Sequence, residues 1–203
     1  MEEETGQEEI VEVEPQEIKE PKLKLIDPMN DLLKRAPAKF DFEKDDPIQV
    51  KNDLLEAMEW VGGVGLSANQ VGLDMAVFVI GDGQEEGVTK AFYNPEIVGC
   101  SKDEDVMREG CLSFPGLWLM VKRPKQVVIK YYDEDNEEKI ETYEGVAARV
   151  ILHEYDHMLG YNFTQRASKL KVERAMKALN KKFKKHQRLL QRQSVNINNN
   201  KEE

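Results

Sequence analysis

Three histidines and two cysteines are all that this chain of 203 residues holds of the side chains best suited to transition metals. Cysteine so sparse, at positions 100 and 111, excludes a disulfide scaffold and leaves free thiols or a metal thiolate as the expectation. Apolar runs are short as well: none approaches the ~18 residues that a membrane-spanning helix needs. The opening stretch MEEETGQEEIVEVEPQEIKE lacks the basic start and apolar centre of a secretory signal and the arginines of a transit peptide. It carries nine Glu against one Lys, a net of −8. A cytoplasmic location is therefore expected. The whole chain is at −10, so residues 21–203 together carry only −2.

What is present divides into four stretches. Residues 1–21 read as an acidic, disordered N-terminal tail, too poor in apolar residues to build a core. The folded body is expected over 22–167, a basic amphipathic helix over 168–192, and a polar, disordered tail over 193–203. Within the body, DPMNDLLKRA and VKNDLLEAMEW pair apolar residues at helical spacing, with Asn30 and Asn52 as candidate caps and Gly62-Gly63 as the stop. MAVFVIG reads as a buried strand, and KAFYNPEIVG as a strand interrupted at Asn94-Pro95. KQVVIKYYD and KIETYEG flank the polar EDNEE, the pattern of a hairpin. After Gly145 the rhythm turns helical through VAARVILHEYDHMLG. The fold class is accordingly α+β, with short, mostly antiparallel strands packed around a central helix that carries HEYDH.

That motif is H-E-x-x-H. On a helix it sets His153 and His157 one turn apart on one face, where two imidazoles can close on one ion, with Glu154 beside them to carry protons. The continuation matches a metal-protease pattern as far as Gly160, but Phe163 stands where a third histidine would be, and a phenyl ring binds no metal. Other candidates for the third ligand are His186, Glu173, Cys100 and Cys111. Glu173 would complete a two-His-one-Glu peptidase site. Cys111, in REGCLSFPG, would complete a His₂Cys site with a fourth position open, although a lone cysteine is most often a small buried apolar group.

Three segments in order, GVGLSANQ (63–70), EGCLS (109–113) and HEYDH (153–157), resemble the signatures of the peptide deformylase family, G-x-G-L-A-A-x-Q, E-G-C-L-S and Q-H-E-x-D-H. The likeness extends over about residues 22–165, with DLLEAM before the glycine loop and NPEI at a familiar place. It implies that Cys111, His153 and His157 hold one metal ion per chain, Fe(II) in the cell with Zn, Ni or Co as substitutes. It implies hydrolysis of the formyl group from formyl-methionyl nascent peptides, with release of formate. Glu154 would be general base and acid, while the Gln70 side chain and the Leu112 backbone N–H would stabilise the oxyanion. Val64, Leu112, Val150 and the stem of Arg149 would wall the methionine pocket, Gly65 would admit the substrate backbone, and Trp118 would meet residues beyond the first. Ser67 and Leu152 depart from the family pattern, replacing alanine and glutamine.

Two rivals follow from the same residues: a zinc peptidase using His153, His157 and Glu173, and an inactive relative bound to the ribosome. The second draws on the segment 168–192, where ten Lys or Arg face one Glu for a net of +9. Such a helix suits RNA phosphates, so ribosome docking is an expectation; a membrane or DNA partner is not.

Overall fold

The computed structural model describes residues 20–81 and 89–199, with residues 192–199 in backbone alone. The acidic tail lies outside the described residues except for Glu20 and Pro21. The first described element is a short 3-10 turn, Asp31–Lys34, whose cap is Asn30: its side chain accepts from the Leu32 N–H at 2.9 Å. Helix α1 (Pro47–Trp60) starts earlier than expected. Asp46, not Asn52, is its cap, accepting from the Ile48 and Gln49 N–H groups at 3.0 and 3.2 Å. Pro47 follows at the first helical position, where its fixed φ and missing N–H do no harm. The helix ends as expected before Gly62, which takes φ +66°.

Five strands form one antiparallel sheet: β1 (Gly65–Ser67), β2 (Val77–Ile80), β3 (Lys90–Cys100), β6 (Gln126–Tyr132) and β7 (Glu138–Glu144), adjacent in that order. Asn94-Pro95 bends β3 without ending it. Asn94 sits at φ +49°, the pairing with β6 shifts between Tyr93 and Glu96, and the Asn94 amide ties down Phe40 through its backbone N–H (2.7 Å) and carbonyl (3.0 Å). The hairpin β6–β7 follows the expected polar turn. Alternation along β6 sends Val127, Ile129 and Tyr131 inward.

Helix α2 (Gly145–Met158) lies on this sheet, with Ala148, Ile151 and Leu152 packed among Phe78, Phe92, Val127, Ile129 and Tyr131. A second hairpin, β4 (Glu104–Gly110) and β5 (Trp118–Pro124), forms a separate two-stranded sheet. It encloses an apolar cluster of its own, Cys111, Leu117, Leu119, Val121 and Phe163. Phe163 is 1% exposed, so the position that would hold a histidine in the protease pattern is core here. After α2 the chain turns at Gly160 (φ +73°), where a Cβ would lie 2.6 Å from the Arg35 backbone, a contact only glycine escapes.

Helix α3 (Lys169–Asn199) packs Val172, Ala175 and Leu179 onto the cluster around Cys111 and Phe163. It then runs past the boundary expected at residue 192, because the asparagine-rich stretch that follows holds no glycine or proline to stop it. From Phe183, which is 62% exposed, to residue 191 its side chains are exposed.

Candidate metal centre

The hairpin turn after β4 brings Cys111 against the face of α2 that carries both histidines. Ligand atoms of Cys111, His153 and His157 all lie within 4.8 Å of one another, and Cys111 Sγ is 3.5 Å from His157 Nε2. A tetrahedral ion with bonds of ~2.3 Å to sulfur and ~2.05 Å to nitrogen separates such atoms by about 3.6 Å, so the donor set fits a single transition-metal ion. Three protein ligands leave one coordination place for water or substrate, as catalytic centres require. Glu173 and His186 are exposed on α3, and Cys100 is an exposed free thiol at the end of β3. The two-His-one-Glu peptidase reading is thereby removed, as is a Cys100–Cys111 disulfide.

Behind the ligands is a chain of ion pairs whose centre, Glu109, Arg123, Arg149 and Asp156, is buried. His153 Nδ1 meets Glu109 Oε2 at 3.2 Å, which leaves its Nε2 to face the ion. Arg123 holds the same carboxylate with two donors, at 2.7 and 2.9 Å, and its remaining nitrogen donates to Asp156 (2.9 Å) and the Leu152 carbonyl (3.1 Å). Asp156, 1% exposed, also receives Arg166. Arg149 donates to Glu109 at 2.7 Å and to the Val121 carbonyl at 3.0 Å, and it pairs with Asp105. Two buried carboxylates, Glu109 and Asp156, therefore meet two buried guanidiniums, Arg123 and Arg149, the balance that buried charge demands, with Asp105 and Arg166 closing the chain at its partly exposed ends. The Arg149 guanidinium is committed to this network, and the residue is 6% exposed.

This setting polarises the titratable groups. Burial opposes charge on His153, yet the hydrogen bonds it donates to Cys111 and Glu109 outweigh it and lift its pKa to about 10. Burial together with the neighbouring His153 drives His157 down to about 3. For Glu109, burial is overcome by its hydrogen bonds to His153 and Arg123, and its pKa falls to about 2. Glu154 goes the other way, raised by burial and only partly restrained by His153 and Ser67.

The other expected residues gather around this centre. Gln70 is 1% exposed; its Oε1 accepts from the Ser67 N–H at 3.0 Å, and its Nε2 reaches Ser113 Oγ (3.0 Å) and Cys111 Sγ (3.5 Å). No protein acceptor takes the Leu112 N–H among the described residues. Gly65 is needed for a contact that sequence reasoning did not name: a Cβ there would lie 2.7 Å from Glu154 Oε1 and 2.8 Å from Val150 Cγ1. Val64 is exposed and Val150 half-buried. Trp118 is half-exposed, with Arg108 over its ring at 4.6 Å and the missing Cβ of Gly110 beneath it. Arg123 was missed altogether. Its signal was the alternation of β5, which sends Leu119 and Val121 inward and Arg123 with them.

The comparisons agree with this geometry. The family model described as Polypeptide deformylase matches residues 22–173. A peptide deformylase of Wolbachia pipientis wMel is 40% identical over 173 residues, covering 80% of this chain and 95% of that protein. One from Cytophaga hutchinsonii is 42% identical over 138 residues, covering 64% and 75%. Among solved structures, a Synechococcus elongatus peptide deformylase in complex with actinonin superposes with a TM-score of 0.74 at 30% identity, over 79% of this chain and 89% of that one. A Legionella pneumophila peptide deformylase gives 0.72 at 32%, over 81% and 96%. With its Cys111–His153–His157 centre, the chain belongs to the peptide deformylase family of metal-dependent hydrolases.

Proposed function

We propose that this deformylase releases formate from the formyl-methionine end of nascent peptides with Glu154 as the proton carrier. When bound, the ion lowers the pKa of water and polarises the formyl oxygen. Glu154 accepts the proton of the attacking water and returns it to the departing amine, so one formamide and one water become formate and a free amine. The Leu112 N–H and the Gln70 amide stabilise the negative charge that develops on the formyl oxygen. Supporting Leu112 is its uncommitted N–H beside the ligating thiolate; supporting Gln70 is its reach to that sulfur.

Iron(II) is the proposed ion in the cell, with zinc, nickel or cobalt as substitutes, since a thiolate with two imidazoles suits all four. Val64, Leu112, Val150 and the stem of Arg149 wall the pocket for the methionine side chain, and Trp118 meets the following residues. Strand β1 is the edge of its sheet, so an extended substrate can pair along the free side beside Gly65. The observation that carries the whole reading is the joining of one sulfur and two imidazole nitrogens next to a buried glutamate. Formate release from formyl-Met-Ala-Ser under anaerobic conditions tests it. Wild type turns over and Glu154→Ala does not; a fully metallated wild type that releases no formate overturns it.

A ribosome-docking role for α3 belongs to the same proposal. Lys177, Lys181, Lys184, Lys185 and Arg188 line one open face of the helix, a field suited to RNA phosphates near the source of the substrate. Cosedimentation with ribosomes that weakens with salt and vanishes on deletion of 168–203 is expected. Binding that survives the deletion removes this role.

A further inference from the structure

Glu154 must present one carboxylate oxygen to the reacting water in one orientation, although its side chain has three rotatable bonds and α2 constrains only the first. Two groups from the glycine loop meet this carboxylate. The Ser67 hydroxyl donates to Oε2 at 2.5 Å, with Ser67 fully buried and Glu154 4% exposed. On the other side the bare Cα of Gly65 makes room for Oε1, which would be 2.7 Å from a Cβ at that position. The carboxylate is thus held by one oxygen and given space at the other. Ser67 is itself anchored, because its backbone N–H donates to Gln70 Oε1 at 3.0 Å and β1 pairs it with Phe78.

We infer that Ser67 is a positioning residue for deformylation: its hydroxyl fixes Glu154 Oε2 so that Oε1 alone faces the reacting water. The inference rests on the deformylase reading above. Gly65 and Ser67 lie on the same face of β1, two residues apart, so one short strand supplies both the space and the donor. The Ser67 hydroxyl bonds Glu154 and none of the metal-ligating atoms, so its effect passes through Glu154.

Steady-state formate release from a formyl-methionyl tripeptide, with bound metal and melting temperature measured on the same samples, tests this. Ser67→Ala should lower kcat about tenfold, the scale of losing an outer-shell partner, while KM, metal content and melting temperature stay at wild-type values. Ser67→Thr, which keeps the hydroxyl, should recover most of that loss. An unchanged kcat in Ser67→Ala overturns the inference, and so does a loss matched by an equal loss of bound metal. A metallated wild type without activity would remove the deformylase reading itself, which the same assay distinguishes.

Discussion

Two regions concentrate charge, and they use it in opposite ways. Behind α2, Glu109, Asp156 and Asp105 meet Arg123, Arg149 and Arg166 in close pairs; Glu109, Arg123, Arg149 and Asp156 are all buried. Along the outer part of α3, lysines and arginines of one sign stand exposed, with Glu173 the lone acidic side chain in the segment 168–192. Buried charge is held in place by the need for every group to find its partner, so it can orient a ligand to a fraction of an ångström. Exposed charge of one sign orients nothing. It acts at a distance, through a field that salt screens within about 10 Å.

Substitutions can break that contrast. The largest effect is expected at Arg123: Arg123→Met leaves Glu109 and Asp156 buried without their shared partner. Unfolding free energy should drop by about 3–5 kcal/mol in a denaturant titration. Next is Phe163→Ala, which hollows the cluster that backs Cys111 and should cost about 3–5 kcal/mol less the amount the site can collapse. Glu109→Gln keeps the shape but removes the charge that orients His153, and metal affinity measured by chelator competition should fall about 10- to 100-fold.

The same variant sharpens the pH dependence. The folded pKa of Glu109, about 2, lies below its ordinary value of 4.5. Its stabilising share is therefore complete above pH 4.5 and is lost as pH falls toward about 2. In Glu109→Gln the loss of stability across that window should be shallower. Smallest in stability is the paired reversal Lys181→Glu and Lys185→Glu on α3, expected to change unfolding free energy by no more than about 0.5 kcal/mol. It should nevertheless weaken ribosome cosedimentation and flatten its salt dependence. An α3 variant that unfolds the domain, or an Arg123 variant that does not, would erase the distinction.

Much of the centre was legible because its signals are local. His153 and His157 share a helix face by spacing alone, and the hairpin β6–β7 announces itself by alternation around a polar turn. Cys111 became a ligand only through its resemblance to a family signature, since nothing local separates a metal thiolate from a buried thiol. The start of α1 was misread because Asn52 sits at a plausible spacing, while Asp46-Pro47 supplies both the cap and the fixed φ. The hairpin β4–β5 went unnamed, and with it the inward direction of Arg123.

By itself the sequence determined the α+β class, the helix with two histidines and a glutamate, and the basic amphipathic helix, because each is written in periodicity or in neighbouring residues. Only the tertiary structure decided that Phe163 is core, that Arg149 belongs to the ion-pair network, and that Ser67 grips Glu154 from 87 positions away along the chain. Contacts of that range form when separately encoded elements pack together, and no local pattern states which side chains will then face each other.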